Sequence, residues 1–310
     1  MSEIRTAVIG VGYLGKFHAQ KYSELKNSKL LAVVDKEFES AQEVATSVGC
    51  DACTDYRDLL GKVDAVSIVV PTDLHYQIAA DFLQHKAHVL VEKPITTSIE
   101  QADQLVELAK SNDCVLQVGH LERFNPAIIA IEKEISQISF IESHRLAPYN
   151  PRGTEVSVVL DLMIHDIDII LDIVDSEVEK IDASGTPVLS NDIDIANARI
   201  VFKNGCVANV TASRVSNKTD RKMRIFQNDA YLSVDFQNRE LATYRKGDGE
   251  MYPGIPNIDI QKNTFDKADA LKLEIDHFLY CIETNSIPKV TGQDARRALQ
   301  TAIQISELLA

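Results

Sequence analysis

Along the first 120 residues, short apolar runs alternate with stretches whose apolar positions recur at helical spacing. The runs are Ala7-Val8-Ile9, Leu30-Leu31-Ala32-Val33-Val34, residues 63–70, His88-Val89-Leu90-Val91 and Val115-Leu116-Gln117-Val118-Gly119. Between them, residues 17–22, 39–48 and 98–111 are helix-compatible, and Ile78, Ala79, Phe82 and Leu83 lie at helical spacing. Runs apolar on both faces suit strands covered on both sides, so the alternation predicts an α/β domain with a doubly wound parallel sheet. In such sheets ligands bind outside the carboxyl ends of the strands. Gly10, Asp35, Pro71-Thr72, Glu92-Lys93 and Gly119-His120 all fall there.

From Leu121 the rhythm changes. Residues 127–135 read as a helix, after which polar and apolar residues alternate at 196–201, 207–212, 222–226 and 231–235, with the turn signal Lys203-Asn204-Gly205 between two of them. This predicts antiparallel strands. The expected second domain is α+β, an open, mostly antiparallel sheet with helices on one face. Its boundaries are 121–310, after a first domain of 1–120, with the last helix packing back on the first domain. No internal repeat, heptad or low-complexity tract interrupts this division.

The chemistry begins at Gly10, Gly12 and Gly15, a G-x-G-x-x-G directly after the first apolar run and opening a helix. The first glycine permits the turn, the second lets backbone approach a pyrophosphate, and the third lets helix pack on strand. The helix N-terminus offers N–H groups and a positive dipole end to phosphates. The next strand ends in Asp35, 20 residues after Gly15, where a carboxylate accepts from the ribose 2′-hydroxyl of NAD and repels the 2′-phosphate of NADP. Lys36 beside it softens that repulsion. This is a nicotinamide dinucleotide site on a Rossmann domain. Lys93 is the first candidate for chemistry, because Pro94 holds it extended at a strand tip. Without that context it would read as a solvated surface lysine.

Residues 158–172 supply the second stretch. At 100° per residue, Asp161, His165, Asp168 and Asp172 fall within about 60° of one another, while every other position except Asp166 is apolar. A narrow polar stripe on an otherwise buried helix places Asp161 and His165 at a cleft or against each other. A carboxylate beside an imidazole fixes its tautomer and strengthens it as a base. The alternatives are a structural Asp–His pair and a divalent metal, the latter unnecessary for hydride transfer to a nicotinamide. No metal is expected.

Charge and cysteines narrow the partners. Lys+Arg 32 against Asp+Glu 46 gives −14, which argues against nucleic acid or an anionic membrane and requires a local basic pocket for any anionic substrate. Cysteines at 50, 53, 114, 206 and 281 fit reduced thiols in a cytoplasmic enzyme. Cys50-x-x-Cys53 has no second pair or nearby histidine to complete a redox or zinc site.

Taken together, Gly10–Gly15, Asp35, Pro71-Thr72-Asp73-Leu74-His75, Glu92-Lys93-Pro94, the run from Val118 through His120-Leu121-Glu122-Arg123-Phe124-Asn125 to Pro126, and Asp161-x-x-x-His165 resemble the glucose–fructose oxidoreductase / inositol dehydrogenase / rhizopine catabolism family. The resemblance implies NAD or NADP, a sugar, cyclitol or sugar-nucleotide substrate, and a homodimer or homotetramer. It implies Lys93, His165 and Asp161 as catalytic residues. It implies a cofactor set of Gly10, Gly12, Tyr13, Leu14, Gly15, Asp35, Lys36, Pro71, Thr72, His75, Glu92, Lys93, Gln117 and Arg123. It implies a substrate set of Lys93, His120, Arg123, Phe124, Asn125, Arg152, Asp161 and His165. Many members have a small residue between the aspartate and the histidine, where this chain has Leu162-Met163-Ile164. The His-Leu-Glu-Arg-Phe-Asn-Pro run is similar to a bacterial subgroup that oxidises the 3-hydroxyl of UDP-N-acetylglucosamine or its uronate for lipid A or O-antigen synthesis.

Oxidising a carbinol needs a base near the hydroxyl and nicotinamide C4 near the hydrogen. His165 is the expected base, with Lys93 stabilising alkoxide charge, although a lysine of lowered pKa serves equally as base. Arg123, Arg145, Arg152 and Arg214 are the cations available to a diphosphate, although each taken singly reads more readily as a surface or structural arginine. A dehydrogenase of free sugars or inositol would not need them, and a dinucleotide-binding sensor would need neither Lys93 nor His165.

Overall fold

The computed structural model describes residues 3–150 and 156–310, which form two compact units. The first holds a six-stranded parallel sheet. Its strands are β1 (Ile4–Ile9), β2 (Ser28–Val34), β3 (Asp51–Cys53), β4 (Ala65–Ile68), β5 (His88–Glu92) and β6 (Leu116–Gly119), in the order β3-β2-β1-β4-β5-β6. Helices α1 (Gly15–Glu24), α2 (Phe38–Val48), α3 (His75–Gln84) and α4 (Ile99–Ser111) connect them. Strand order reverses between β1 and its neighbours β2 and β4, which is the position where doubly wound sheets open a crevice. Each helix presents small or apolar residues to the sheet, as Ala41 and Ala45 of α2 and Ile78, Ala79, Phe82 and Leu83 of α3 are buried.

The first segment ends at Leu121, one residue from the expected division, and a later segment joins it. The first unit comprises Met1–Leu121 and also Asp269–Leu299, so the chain returns to it after making the second unit. The reason is packing: α7 (Ala270–Thr284) buries Leu271, Ile275, Phe278 and Leu279 in the same core as Val8, Ala19, Tyr22, Val33 and Leu90. Lys21 on α1 and Asp269 at the α7 N-cap pair at 3.0 Å. The last helix, α8 (Gly292–Leu309), is shared, with residues from Gln300 onward counted in the second unit.

The second unit, Glu122–Ala268 with Gln300–Ala310, is built on an eight-stranded sheet. Its strands are β7 (Ile138–Leu146), β8 (Val178–Thr186), β9 (Ile195–Phe202), β10 (Val207–Ser213), β11 (Asp220–Gln227), β12 (Ala230–Asp235), β13 (Glu240–Tyr252) and β14 (Ile255–Thr264), in the order β14-β13-β12-β11-β7-β10-β9-β8. All pairs are antiparallel except β7 with β10. Ile141, Val210, Met223, Ile225, Leu232 and Val234 are fully buried on the face served by the short helix α5 (Pro126–Ile131) and by α6 (Ile164–Val174). On the opposite face the register aligns Val201, Val207, Phe140, Phe226, Tyr231, Tyr244 and Ile260 across seven strands. The stacked rings of Phe226, Tyr231 and Tyr244 lie 4.9 and 5.1 Å apart, and this apolar row is only partly covered.

The continuous helix expected over 158–172 is two structures. Residues Val159–Met163 form a π-helical turn, closed by a bond from Ile164 N to Val159 O, and α6 follows. The wider turn breaks the 100° advance that placed Asp161 on one stripe with the residues after it. The helix expected at 127–135 is shorter than the pattern implied, ending at Ile131.

Candidate active site

The crevice of the first unit is shaped by its glycines. Gly10 has φ +88°, and a Cβ there would meet Val69 O at 2.4 Å. A Cβ on Gly15 would meet Gly10 O at 1.9 Å, so helix and strand approach too closely for any side chain. At Gly12 the Cβ position faces open space with nothing within 4 Å, the opening a pyrophosphate needs. No side chain caps the N-terminus of α1 and no acidic residue lies in its first turn, which leaves its N–H groups for an anion. Asp35 follows β2. Its Oδ2 accepts from Val11 N at 3.0 Å and its Oδ1 from Glu37 N at 3.1 Å. Each oxygen retains a second lone pair for a ribose hydroxyl. These residues fit NAD, which when bound supplies the hydride-accepting carbon.

The other expected cofactor residues divide by exposure. Tyr13, Lys36 and Pro71 are exposed, and Leu14, Thr72, Glu92 and Lys93 are half-buried around the strand ends. His75 is not on the surface. At 1% exposure, its Nδ1 lies 2.9 Å from Pro94 O and its Nε2 2.9 Å from Val70 O, tying the end of β4 to the segment after Lys93. Burial pushes the ring below its ordinary pKa, against the pull of those carbonyls. Gln117 also needs correction. It is fully buried, and its Nε2 donates to the main-chain oxygen of Glu274 at 3.1 Å rather than lining the crevice. Lys93 sits at the tip of β5, joined to Pro94 by a cis peptide. Its N–H donates to Glu92 Oε2 at 3.3 Å.

In the second unit, Asp161 lies in the π-helical turn and His165 in the first turn of α6, both half-buried. The rest of the expected stripe has other work. Arg123, 2% exposed, pairs with Asp168 at 3.3 Å and also with Asp172. Arg145, 3% exposed, forms a fork on Asp166 at 2.8 and 3.0 Å and reaches Glu122 Oε1 at 2.9 Å. Arg214 is buried with its Nη2 donating to Val156 O at 2.5 Å. Three of the four arginines expected to be available to a phosphate are therefore occupied inside the protein, and Arg152 lies outside the described residues.

Asn125 caps α5, accepting from Ala127 N at 3.0 Å. Phe124 is buried, as is His120, which closes the first unit's last strand. Arg123 and Asn125, expected to contact substrate, thus also serve the fold through ion pairing and capping. Burial raises the Cys50 thiol to about 11 and also raises Cys53. Among the described residues, no three His, Cys, Asp or Glu groups are placed to hold a metal ion, and no helix is long and apolar enough to cross a membrane.

Two residues escaped the sequence reading. His18 on α1 contacts Glu92, and Glu274 on α7 is completely buried. Glu274 carried a signal: it stands three residues after Leu271 and four before Phe278, within the apolar face of its helix.

A nucleotide crevice with a lysine at an adjoining strand tip, on a chain whose second unit carries an Asp/His pair, defines a dinucleotide-dependent oxidoreductase. Residues 4–120 match the oxidoreductase family with the NAD-binding Rossmann fold, and residues 132–233 match the Gfo/Idh/MocA C-terminal domain. The chain is 41% identical over 306 residues to UDP-N-acetylglucosamine 3-dehydrogenase of Acidithiobacillus ferrooxidans, covering 98% of this chain and 97% of that one. A solved structure of that enzyme matches with a TM-score of 0.94, over 100% of this chain and 98% of that one. The scyllo-inositol dehydrogenase of Lactobacillus casei, solved with NAD(H) and scyllo-inositol, shares the fold at 22% identity and a TM-score of 0.82, over 99% and 97% of the two chains. The chain belongs to the Gfo/Idh/MocA oxidoreductase family, as an NAD-dependent dehydrogenase acting on CH–OH groups.

Proposed function

We propose that this dehydrogenase oxidises the 3-hydroxyl of UDP-N-acetylglucosamine or a close relative such as its uronate, in the cytoplasm, for lipid A or another surface polysaccharide. The observation that carries the reading is the 41% identity to a UDP-N-acetylglucosamine 3-dehydrogenase along 98% of the chain. His165 takes the hydroxyl proton on its imidazole, with Asp161 orienting the ring, and the Lys93 ammonium stabilises charge developing on oxygen. Five free cysteines support a reducing compartment.

The buried pairing of Arg123 and Arg145 favours a second reading, a dehydrogenase of a free sugar or inositol, which needs no phosphate-binding cations. Incubation with NAD and UDP-N-acetylglucosamine, with a coupled aminotransferase drawing off product, is expected to give reduced cofactor and a product two hydrogens lighter. Silence with this substrate and its uronate, beside ready NAD reduction by myo-inositol or a hexose, would establish the second reading instead.

The protein is further proposed to be a homodimer or homotetramer. The apolar row from Val201 to Ile260 supports this, since sheet faces of this kind are covered by a second copy or another partner. Light scattering is expected to give at least twice the chain mass of 34.4 kDa, and Tyr231→Glu to shift it toward the monomer. A monomeric wild type at micromolar concentration would refute it.

A further inference from the structure

We infer that Glu274 is a positioning residue for Lys93, kept as a neutral carboxylic acid so that Glu92 is the one charged member of the two carboxyls and holds the Lys93 main chain. The inference rests on the proposed role of Lys93 in the reaction. Its ground is an asymmetry between two carboxyl groups of the first unit. Glu92 has donors: the Lys93 N–H at 3.3 Å on Oε2 and His18 Nε2 at 3.2 Å from Oε1, a contact that is favourable with the ring proton on that nitrogen. Its carboxylate also occupies the space that Gly119 leaves open, since a Cβ there would stand 2.8–3.0 Å from its atoms. Glu274 is 0% exposed, and neither of its carboxyl oxygens has a hydrogen-bonding partner among the described residues.

An ionised carboxylate without donors or a cation is not sustained in a protein interior, and two neighbouring carboxyls there do not both ionise. Glu274, the group without donors, therefore carries a proton. Burial, and after it the charge of Glu92, push Glu274 well above the usual carboxylate range. No cation among the described residues pairs with either oxygen of Glu274. From α1 come the buried His18, which serves Glu92, and Tyr22, whose hydroxyl lies 2.8 Å from Ser67 Oγ, while Lys21 is taken by Asp269. From β6 comes the neutral amide of Gln117, bound to the Glu274 main chain. A charge on Glu274 repels the Glu92 carboxylate, whose Oε2 is the acceptor of the Lys93 N–H.

The test uses the full chain with NAD bound. Infrared spectra at neutral pH are expected to show a neutral-acid carbonyl band that is missing from Glu274→Gln. A carboxyl with a raised native pKa favours the fold below its unfolded pKa and loses that contribution as pH rises toward the native one. The melting temperature of Glu274→Gln is therefore expected to fall less than that of wild type between acidic and alkaline pH. The functional readout is the pH profile of kcat, in which Glu274→Gln, with no charge to gain, loses one ionisation on the alkaline side; Glu274→Met serves if the glutamine variant does not fold. Absence of the band in wild type, its persistence in Glu274→Gln, or superimposable kcat profiles would each overturn the inference. Wild-type turnover by Lys93→Met would instead refute the role of Lys93 and leave the infrared assignment of Glu274 standing.

Discussion

Lys93→Met and His165→Asn are each expected to lower kcat by roughly 10²-fold or more while the NAD dissociation constant stays near the wild-type value. The separation follows from how each residue is held. The Lys93 backbone is fixed by Glu92 through its N–H, and the next residue by His75 through the Pro94 carbonyl. Removing the ammonium therefore leaves the strand tip in place and deletes only its charge. The turn and carboxylate proposed to hold the cofactor are built from other residues, Gly10, Gly12, Gly15 and Asp35. His165 is similarly framed, between the buried Ile164 and Asp166, so an asparagine there keeps the helix and removes the proposed base. Asp161→Asn is expected to be milder, since an amide still orients an imidazole. Steady-state rates at saturating substrate, with calorimetric titration of NAD, make the comparison. Full turnover by His165→Asn would mean that the Asp161/His165 pair is structural.

Arg145→Met is expected to destabilise the second unit by about 3–5 kcal/mol, the usual result of removing one member of a buried ion pair. The guanidinium spans Asp166 and Glu122, and Asp166 is 1% exposed. Without Arg145 a buried carboxylate is left without its cation. The fork also joins β7 to the helix that carries His165, so activity is expected to fall with stability. Replacing both partners, Arg145→Met with Asp166→Leu, is expected to recover most of the loss, because the stranded charge disappears with its partner. Urea unfolding followed by circular dichroism reads both values. A double variant no more stable than the single one would show that packing around the guanidinium, rather than the abandoned carboxylate, governs the cost.

What could be read from the sequence was what the backbone itself demands. Gly10, Gly12 and Gly15 are set by a turn, an opening and a close approach, and each leaves a glycine at a fixed interval. Asp35 follows from the length of one strand–helix–strand unit. The charges of 158–172 were less legible. Asp161, His165, Asp168 and Asp172 share a face only if every turn has the same width, and the π-helical turn at Val159–Met163 removes that condition. Periodicity also says nothing about partners: Asp168 and Asp172 meet Arg123, and Asp166 meets Arg145, through the tertiary fold. The arginines looked available because a chain read in one dimension does not show what neutralises them. The membership of α7 was hidden for a related reason, since an amphipathic helix displays its apolar face without naming the core that receives it.

The return of residues 269–299 to the first unit bears on the order in which the protein is made. Synthesis runs from the N-terminus, so the nucleotide-binding strands leave the ribosome before Leu271, Ile275, Phe278 and Leu279, which complete their core. During translation of some 147 intervening residues, Glu122–Ala268, the surface around Ala19, Tyr22 and Leu90 lacks its cover. The eight-stranded sheet of the second unit lies wholly within those intervening residues, so all of its strands are made before the first unit's core is complete. The core beneath the glycine-lined crevice is therefore completed only after the strands of the second unit have been made, although the glycines precede those strands in the chain.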